Sequence, residues 1–585
     1  MPILSPRWVL SKKINRSFRM SIDPQAAFPD FVYQRPDLKK SETAFREALA
    51  RFEAAPDPAA AAAAMEDIDA IRAHVATQYN ICYIRFSVDT RDEFYREEKD
   101  WFDQQLPATE AWRADYYRAL IASPHRQALE EQYGEQLFLG AELSIKTFRP
   151  EIIEDLQAEN AGTSEYTQLR GGAQIEVNGE TYNLSSITPK EQVADREARH
   201  QASKAKWDWY LEHQEKIEGI YDRLVKLRHK MAQTLGYDNF VALGYARMNR
   251  TDYGPEAVAN FRRQVKEFIV PIAARLAEAQ RQRIGVEKIR YYDTAFRFPD
   301  GNPTPVGGRD VLVDAARKLY DGLSEETGEF FRLLENRQLM DLEAKDGKAP
   351  GGYCTYVNDY GAPYIFSNFN GTSHDVDVLT HEFGHAFQVY SSRKLKPMEY
   401  AWPTYDAAEI HSMSMEFFAY PGVPDFFGDD AKKYFYSHLE SAMRFLPYGC
   451  AIDEFQHRVY ERPEMTPAER NATWLNIAAE YMPHVDYTDH PFLAQGGMWQ
   501  SQLHLFGMPF YYIDYCLAQI CAFQFWLKNE EDHAAAWSDY VRLCEAGGSM
   551  GFLKLVELAG LENPFEDGVM EKIAARVTER LDELG

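Results

Sequence analysis

Apolar and polar positions along the chain change period several times, and each change marks a change of element. Residues 40–135 are dense in Ala, Glu, Arg and Leu, a helix-forming composition, and Pro58-Ala-Ala-Ala-Ala-Ala-Ala-Met65 reads as an alanine-rich helix start. Near residue 173 the period drops to two. Ile175 and Val177 alternate with polar residues, Asn178-Gly179 follows, and Tyr182 and Leu184 resume the run. Asn-Gly between alternating runs predicts a β-hairpin. Thr188-Pro-Lys-Glu then predicts a helix start, and the helical pattern continues to about Leu235. Further helices are predicted over 255–285 and 308–337. Tyr353–Asn368 reads differently: Tyr353, Thr355, Tyr356, Val357, Tyr364, Ile365 and Phe366 predict two short strands around Asp359-Tyr-Gly-Ala-Pro363. Helices dominate again from 429 to 579. The expected architecture is mainly α, with one small sheet, and no tandem repeat interrupts it.

The richest stretch chemically is His381-Glu-Phe-Gly-His385. On a helix, residues four apart share a face about one turn from each other, so both imidazoles can reach one Zn²⁺. Glu382 lies beside them, where its carboxylate can take a proton from a water at the metal. Asp375 and Asp377 suit the first turn of such a helix, and Thr372 or Ser373 is placed to cap it. Val376, Val378, Leu379, Phe383, Ala386 and Phe387 can bury its remaining faces. Gly384 costs about 1 kcal/mol relative to Ala inside a helix. It makes sense where another backbone or a substrate must come close, or where two helices pack tightly.

Zinc needs a third protein ligand and an open fourth position. Asp406-Ala-Ala-Glu-Ile-His-Ser-Met-Ser-Met-Glu416 is rich in helix formers, and Glu409 and Glu416 share one of its faces. Glu409 is the candidate third ligand and Glu416 the candidate hydrogen-bond partner of a ligating histidine. His411 is a rival ligand, but it points elsewhere on the helix.

With H-E-x-G-H followed about two dozen residues later by Glu409-Ile-His-Ser-Met-Ser-Met-Glu416, the chain resembles the M3 family of metallopeptidases, in the oligoendopeptidase F and Pz-peptidase-like branch. Asp341–Gly352 resembles the family's glycine-rich loop before the active-site strand. His504-Leu-Phe-Gly-Met-Pro-Phe-Tyr-Tyr-Ile-Asp-Tyr515 resembles the segment supplying transition-state-stabilising His and Tyr side chains. The likeness is close over roughly 170–585 and loose before it. It implies two helical lobes flanking a deep substrate channel, with 1–170 as an N-terminal helical region forming part of one lobe and 171–585 as the catalytic region. It also implies a zinc-dependent endopeptidase acting on short unfolded oligopeptides, with one Zn²⁺ per chain on His381, His385 and Glu409, and Glu382 as general base. His504 and one or more of Tyr511, Tyr512 and Tyr515 would stabilise the oxyanion. Tyr515 fits best, because it precedes the helical run Cys-Leu-Ala-Gln. Two departures stand out. Gln388 replaces a further histidine of many relatives, and the residue seven before Tyr515 is Met508, where the thimet branch has tyrosine. Two other readings compete: a zinc carboxypeptidase of M32-like helical fold, and a non-catalytic peptide-binding protein.

Composition narrows the setting. A net charge of −26 argues against nucleic acid and anionic membranes as partners. Six cysteines, none in a C-x-x-C pair, read as reduced core residues and, with no secretory signal in view, point to the cytoplasm. Met1 is followed by a basic leader (Lys12, Lys13, Arg16, Arg19), and Met20 is an alternative start. No window approaches the ~18 apolar residues needed to span a bilayer. Oligomeric state is not encoded in any recognisable pattern.

Overall fold

The computed structural model describes residues 23–585; the two candidate starts lie outside that range. The N-terminal lobe is built on three helices, α1 (Leu38–Glu53), α2 (Pro58–Val88) and α3 (Glu93–Ile121). Each begins at an aspartate, Asp37, Asp57 or Asp92, whose side chain accepts from a backbone N–H of the first turn. Phe45, Leu49, Phe52, Met65, Ile68, Trp112, Tyr116 and Leu120 form its own apolar core. A second, larger core runs through the rest of the chain.

The helix α4 (Ile153–Gly171) leads to the hairpin β1 (Ile175–Val177) and β2 (Glu180–Tyr182). Asn178 and Gly179 both take positive φ, 54° and 84°, as a two-residue turn between twisted strands requires. The helical stretch expected over 188–235 is interrupted. A short 3₁₀ turn at Thr188–Gln192 stops, and Asp195 caps a fresh helix by accepting from Glu197 N and Ala198 N. That helix breaks at His213 before α5 (Gln214–Leu235), and α6 (Phe240–Arg247) follows. The predicted 255–285 and 308–337 helices are present, the second split at Ser324 by a capping box with Thr327.

The predicted strands are β4 (Tyr353–Val357) and β5 (Ala362–Phe369), paired antiparallel. A third strand, β3 (Met340–Glu343), pairs parallel to the other edge of β5, so part of the stretch read as a loop is strand. β4 is thus an edge. Its Tyr356 carbonyl accepts from Asn80 Nδ2 of α2 at 2.8 Å.

The sheet packs on α7 (His374–Ser392), which crosses α8 (Tyr405–Phe418). Ser373 stands at the N-cap of α7 without capping it; Asp375 reaches back to accept from Asn370 N and Gly371 N, both at 2.8 Å. The crossing with α8 explains Gly384. A Cβ there would lie 2.7 Å from His411 O and from Ser412 Cα, so tight helix packing, not substrate approach, requires the glycine. The last elements used below are α9 (Ala431–Glu461) and α10 (Tyr512–Glu531).

The segment joining α7 to α8 fastens the two lobes. Arg72 of α2 donates to Glu399 at 2.6 Å, Tyr117 of α3 donates to the same carboxylate at 2.8 Å, and Met398 N donates to Asp69 at 3.0 Å. The Tyr400 ring is buried in the N-terminal core. A cavity of about 400 Å³ lies between the lobes, with Tyr79, Phe102 and Leu106 on one side and Phe240, Gly244, Met508 and Pro509 on the other. Among the described residues no helix is long and apolar enough to cross a membrane.

Gly384→Ala gains about 1 kcal/mol of helix propensity but overpacks a backbone contact, which costs about 1–3 kcal/mol. The thermal midpoint is expected to fall; a rise would show that the α7–α8 crossing has room to spare.

Candidate metal and hydrolytic site

On α7 the apolar face anchors the helix: Phe383 stacks on Tyr320 with centroids 3.6 Å apart, and Leu379, Ala386 and Phe387 are buried. The opposite face turns His381 and His385 toward α8. Glu409, 1% exposed, comes up between them: Oε2 is 3.2 Å from His381 Nε2 and 3.3 Å from His385 Nε2. Ligands about 2.1 Å from a tetrahedral zinc stand roughly 3.4 Å from one another, so a carboxylate oxygen this far from each imidazole nitrogen fits a shared Zn²⁺. His381, His385 and Glu409 are also the only such His/Cys/Asp/Glu group among the described residues.

Electrostatics favour a cation here. Burial alone would raise the Glu409 carboxyl, but His385 and His381 hold it well below its ordinary value. Burial alone would lower His381, but Glu409 and Glu416 drive it well above the usual imidazole value. Glu416 accepts from His381 Nδ1 at 2.7 Å, as a partner that fixes a ligating histidine's tautomer must. Against the cost of burial, His381 and His438 hold the Glu416 carboxyl down at about 2.

Sequence reasoning missed His438. On α9, its Nε2 meets the other Glu416 oxygen at 2.8 Å, while its Nδ1 meets the Tyr420 hydroxyl at 2.9 Å. A chain of contacts therefore runs from the metal-facing imidazole through Glu416 and His438 to Tyr420. The only local signal was a histidine in a helix 22 residues beyond Glu416, and nothing in the sequence tied the two. Ser412 also reaches the site: its hydroxyl donates to Glu409 Oε2 at 2.8 Å.

Glu382 is 6% exposed, and its Oε2 has no hydrogen-bond partner. Burial raises its carboxyl above the ordinary value, with His381 and His385 opposing the shift. A Cβ at Gly352, just before β4, would stand 3.4 Å from Glu382 Oε1, so the absent side chain leaves the carboxylate room beside the sheet edge. The rival His411 faces away. It is fully buried, its Nδ1 meets Ala407 O at 2.7 Å, and burial depresses it to about 4. Gln388 is equally buried and donates to Ala401 O at 3.2 Å, so its position belongs to the helix packing and not to the ligand set.

The His504–Tyr515 segment closes over the site from the far side. The Tyr511 hydroxyl donates to Glu409 Oε1. Tyr515 has its ring 5.1 Å from that of Tyr511 and feels the charges of both Glu409 and Glu382. Burial, then Glu409, raises both phenols, so both remain protonated donors. Tyr512 instead packs among Phe445, Tyr448 and His504. His504 lies against all three tyrosines, accepts from Gln502 at 2.7 Å, and is lowered by burial to about 4.

Comparison with known proteins places the chain in a family. The model described as Peptidase M3 N-terminal domain matches residues 28–148, and the one described as Peptidase family M3 matches 191–299 and 329–575. Oligopeptidase PepF of Bacillus subtilis (strain 168) is 21% identical over 552 residues, 88% of this chain and 79% of that one. An oligoendopeptidase F homolog of Lactococcus lactis subsp. lactis (strain IL1403) is 22% identical over 420 residues, 68% of this chain and 65% of that one. The solved structure of Pz peptidase A with inhibitor 2 superposes with a TM-score of 0.94 at 52% identity, covering 95% of this chain and 99% of that one. With matches across both its N-terminal lobe and its metal helices, the chain belongs to peptidase family M3.

Proposed function

We propose that this peptidase is a zinc-dependent endopeptidase that cleaves internal bonds of short, unfolded oligopeptides. The observation that carries the reading is the convergence of His381, His385 and Glu409, whose ligand atoms all lie within 4.8 Å of one another, beside the unpartnered Glu382 carboxylate oxygen. A Zn²⁺ held by those three residues supplies a Lewis acid and brings the pKa of a coordinated water to roughly 7.

The chain's own groups do the rest. Glu382 takes the proton of the attacking water and passes it to the leaving amine. Tyr515 and Tyr511 donate to the oxygen on which negative charge develops, with His504 packed behind them; one such donor is worth about 3 kcal/mol, or 100-fold or more in rate. An extended peptide can pair with the β4 edge near Cys354, since Asn80 already takes the Tyr356 carbonyl. A site between two lobes excludes folded chains. Membership of family M3 favours this reading over an M32-like carboxypeptidase and over a non-catalytic binder. Six cysteines, none of them disulfide-bonded, suit a reducing compartment, where peptides left by larger proteases are available.

Chelation should abolish activity, and zinc or cobalt should restore it. Glu409→Ala should lose the metal, and full occupancy by metal analysis would refute its assignment. Glu382→Gln should keep the metal and lose 10²–10⁴-fold in turnover; retention of more than about a tenth would refute the general-base role.

Tyr515→Phe should cut turnover about 100-fold with little change in substrate affinity, because the hydrogen bond strengthens in the transition state. Wild-type turnover in Tyr515→Phe beside a crippled Tyr511→Phe would assign the donor to Tyr511 alone.

On a peptide blocked at both ends, mass mapping should find internal cuts. Release of C-terminal residues only from unblocked peptides, or casein digestion at rates near those of a short peptide, would contradict the endopeptidase reading.

A further inference from the structure

The residue just before Tyr511 has an uncommon backbone. Phe510 has φ of +68°, a left-handed conformation that bulky side chains rarely adopt and that glycine adopts freely. A non-glycine residue persists there only where its surroundings over-determine it, and here they do. Phe510 N donates to Gln456 Oε1 of α9 at 2.6 Å. Phe510 O accepts from Arg250 Nη2 at 2.6 Å, and the same nitrogen pairs with Asp514 in the first turn of α10 at 2.5 Å. The ring is fully buried among Tyr245, His457 and Tyr460. Its socket exists because residue 244 is glycine: a Cβ there would stand 2.4 Å from Phe510 Cδ2.

The rest of the segment is held in the same way. Arg228, fully buried, donates to Leu505 O at 3.0 Å and to Phe506 O, and its Nε pairs with Glu159 at 2.6 Å. Two buried arginines and one glutamine thus bind the main chain from Leu505 to Phe510. Among the described residues none of the three hydrogen-bonds to His381, Glu382, His385 or Glu409. Tyr511, the next residue, is where the chain reaches Glu409.

We propose that Phe510 is a positioning residue: its left-handed backbone, locked by Arg250, Gln456 and the Gly244 socket, aims the Tyr511 hydroxyl at the metal site. A glycine at 510 would adopt the same φ without strain but would lack the ring that fills the socket, so the turn would no longer be held in one place. The proposal rests on the reading of Tyr511 as a transition-state donor.

A double-mutant cycle tests it. Phe510→Gly should lower kcat at least tenfold, with KM within about twofold and zinc content unchanged. Combined with Tyr511→Phe it should lower kcat no further than Tyr511→Phe alone, because a group that acts through Tyr511 has nothing left to position. Multiplicative losses, or wild-type kcat in Phe510→Gly, would overturn the positioning role while leaving Tyr511 as a donor. Wild-type kcat in Tyr511→Phe would refute the donor role itself, and the proposal with it. Should Phe510→Gly fail to fold, Gln456→Met decides by the same cycle: it removes one acceptor and keeps the ring. Gln456→Glu, which restores the acceptor, should recover kcat, and equal losses in both would overturn the proposal.

Discussion

The site depends on buried negative charge. Glu382 and Glu409 are almost wholly withdrawn from water, and Glu416 lies close by. An isolated carboxylate in such a place would protonate, because desolvation costs more than the shift in pKa. Glu409 and Glu416 are kept ionised by the imidazoles that touch them, whereas Glu382, which touches none, is raised. The two histidines balance the charge only when protonated, and a protonated imidazole has no lone pair for a metal. A divalent cation held by His381, His385 and Glu409 would resolve the conflict: it would neutralise the carboxylates and leave the histidines neutral. Its binding would also offset the folding cost of bringing these groups together.

That constraint explains which parts of the site were legible. His381, Glu382 and His385 are local: one helix turn sets their relation, so five letters suffice. Glu409 and Glu416 were legible because seven residues on a helix return to the same face, and the α7–α8 crossing at Gly384 places that face opposite the histidines. His438 and Phe510 were not legible, for two different reasons. His438 joins the site because α8 and α9 both pack on α10, and no spacing rule links residues 416 and 438. Phe510 is recognisable only by its φ, since a Phe-Tyr-Tyr run before a helix gives no hint that the first residue is left-handed.

The fold shows the same division. The hairpin turn at Asn178-Gly179 and the strands β4 and β5 follow from local pattern. β3 was missed because Met340-Asp-Leu-Glu343 alternates over only four residues, too short a run to mark a strand, and what extends it is pairing along the open edge of β5. The helix break near Asp195 was misread because helix propensity continues across it. What stops the first segment is an aspartate that caps a new start, a choice worth about 1 kcal/mol against a weak propensity signal.

The two lobes meet the chemistry at different points, which constrains how a substrate can enter. The 398–400 segment joins metal helix to ligand helix and also grips the N-terminal lobe through Asp69, Arg72 and Tyr117. Across the cavity, Met508 and Pro509 form part of one wall, while Tyr79 and Phe102 of the N-terminal lobe form part of the other. Met508 and Pro509 belong to the turn that ends at Phe510 and carries Tyr511. The cavity wall and the residue that reaches Glu409 are therefore one short stretch of backbone. Arg228, Arg250 and Gln456 hold that stretch by its backbone and not by its side chains, so the placement of Tyr511 does not depend on which side chains Met508 and Pro509 present to the cavity.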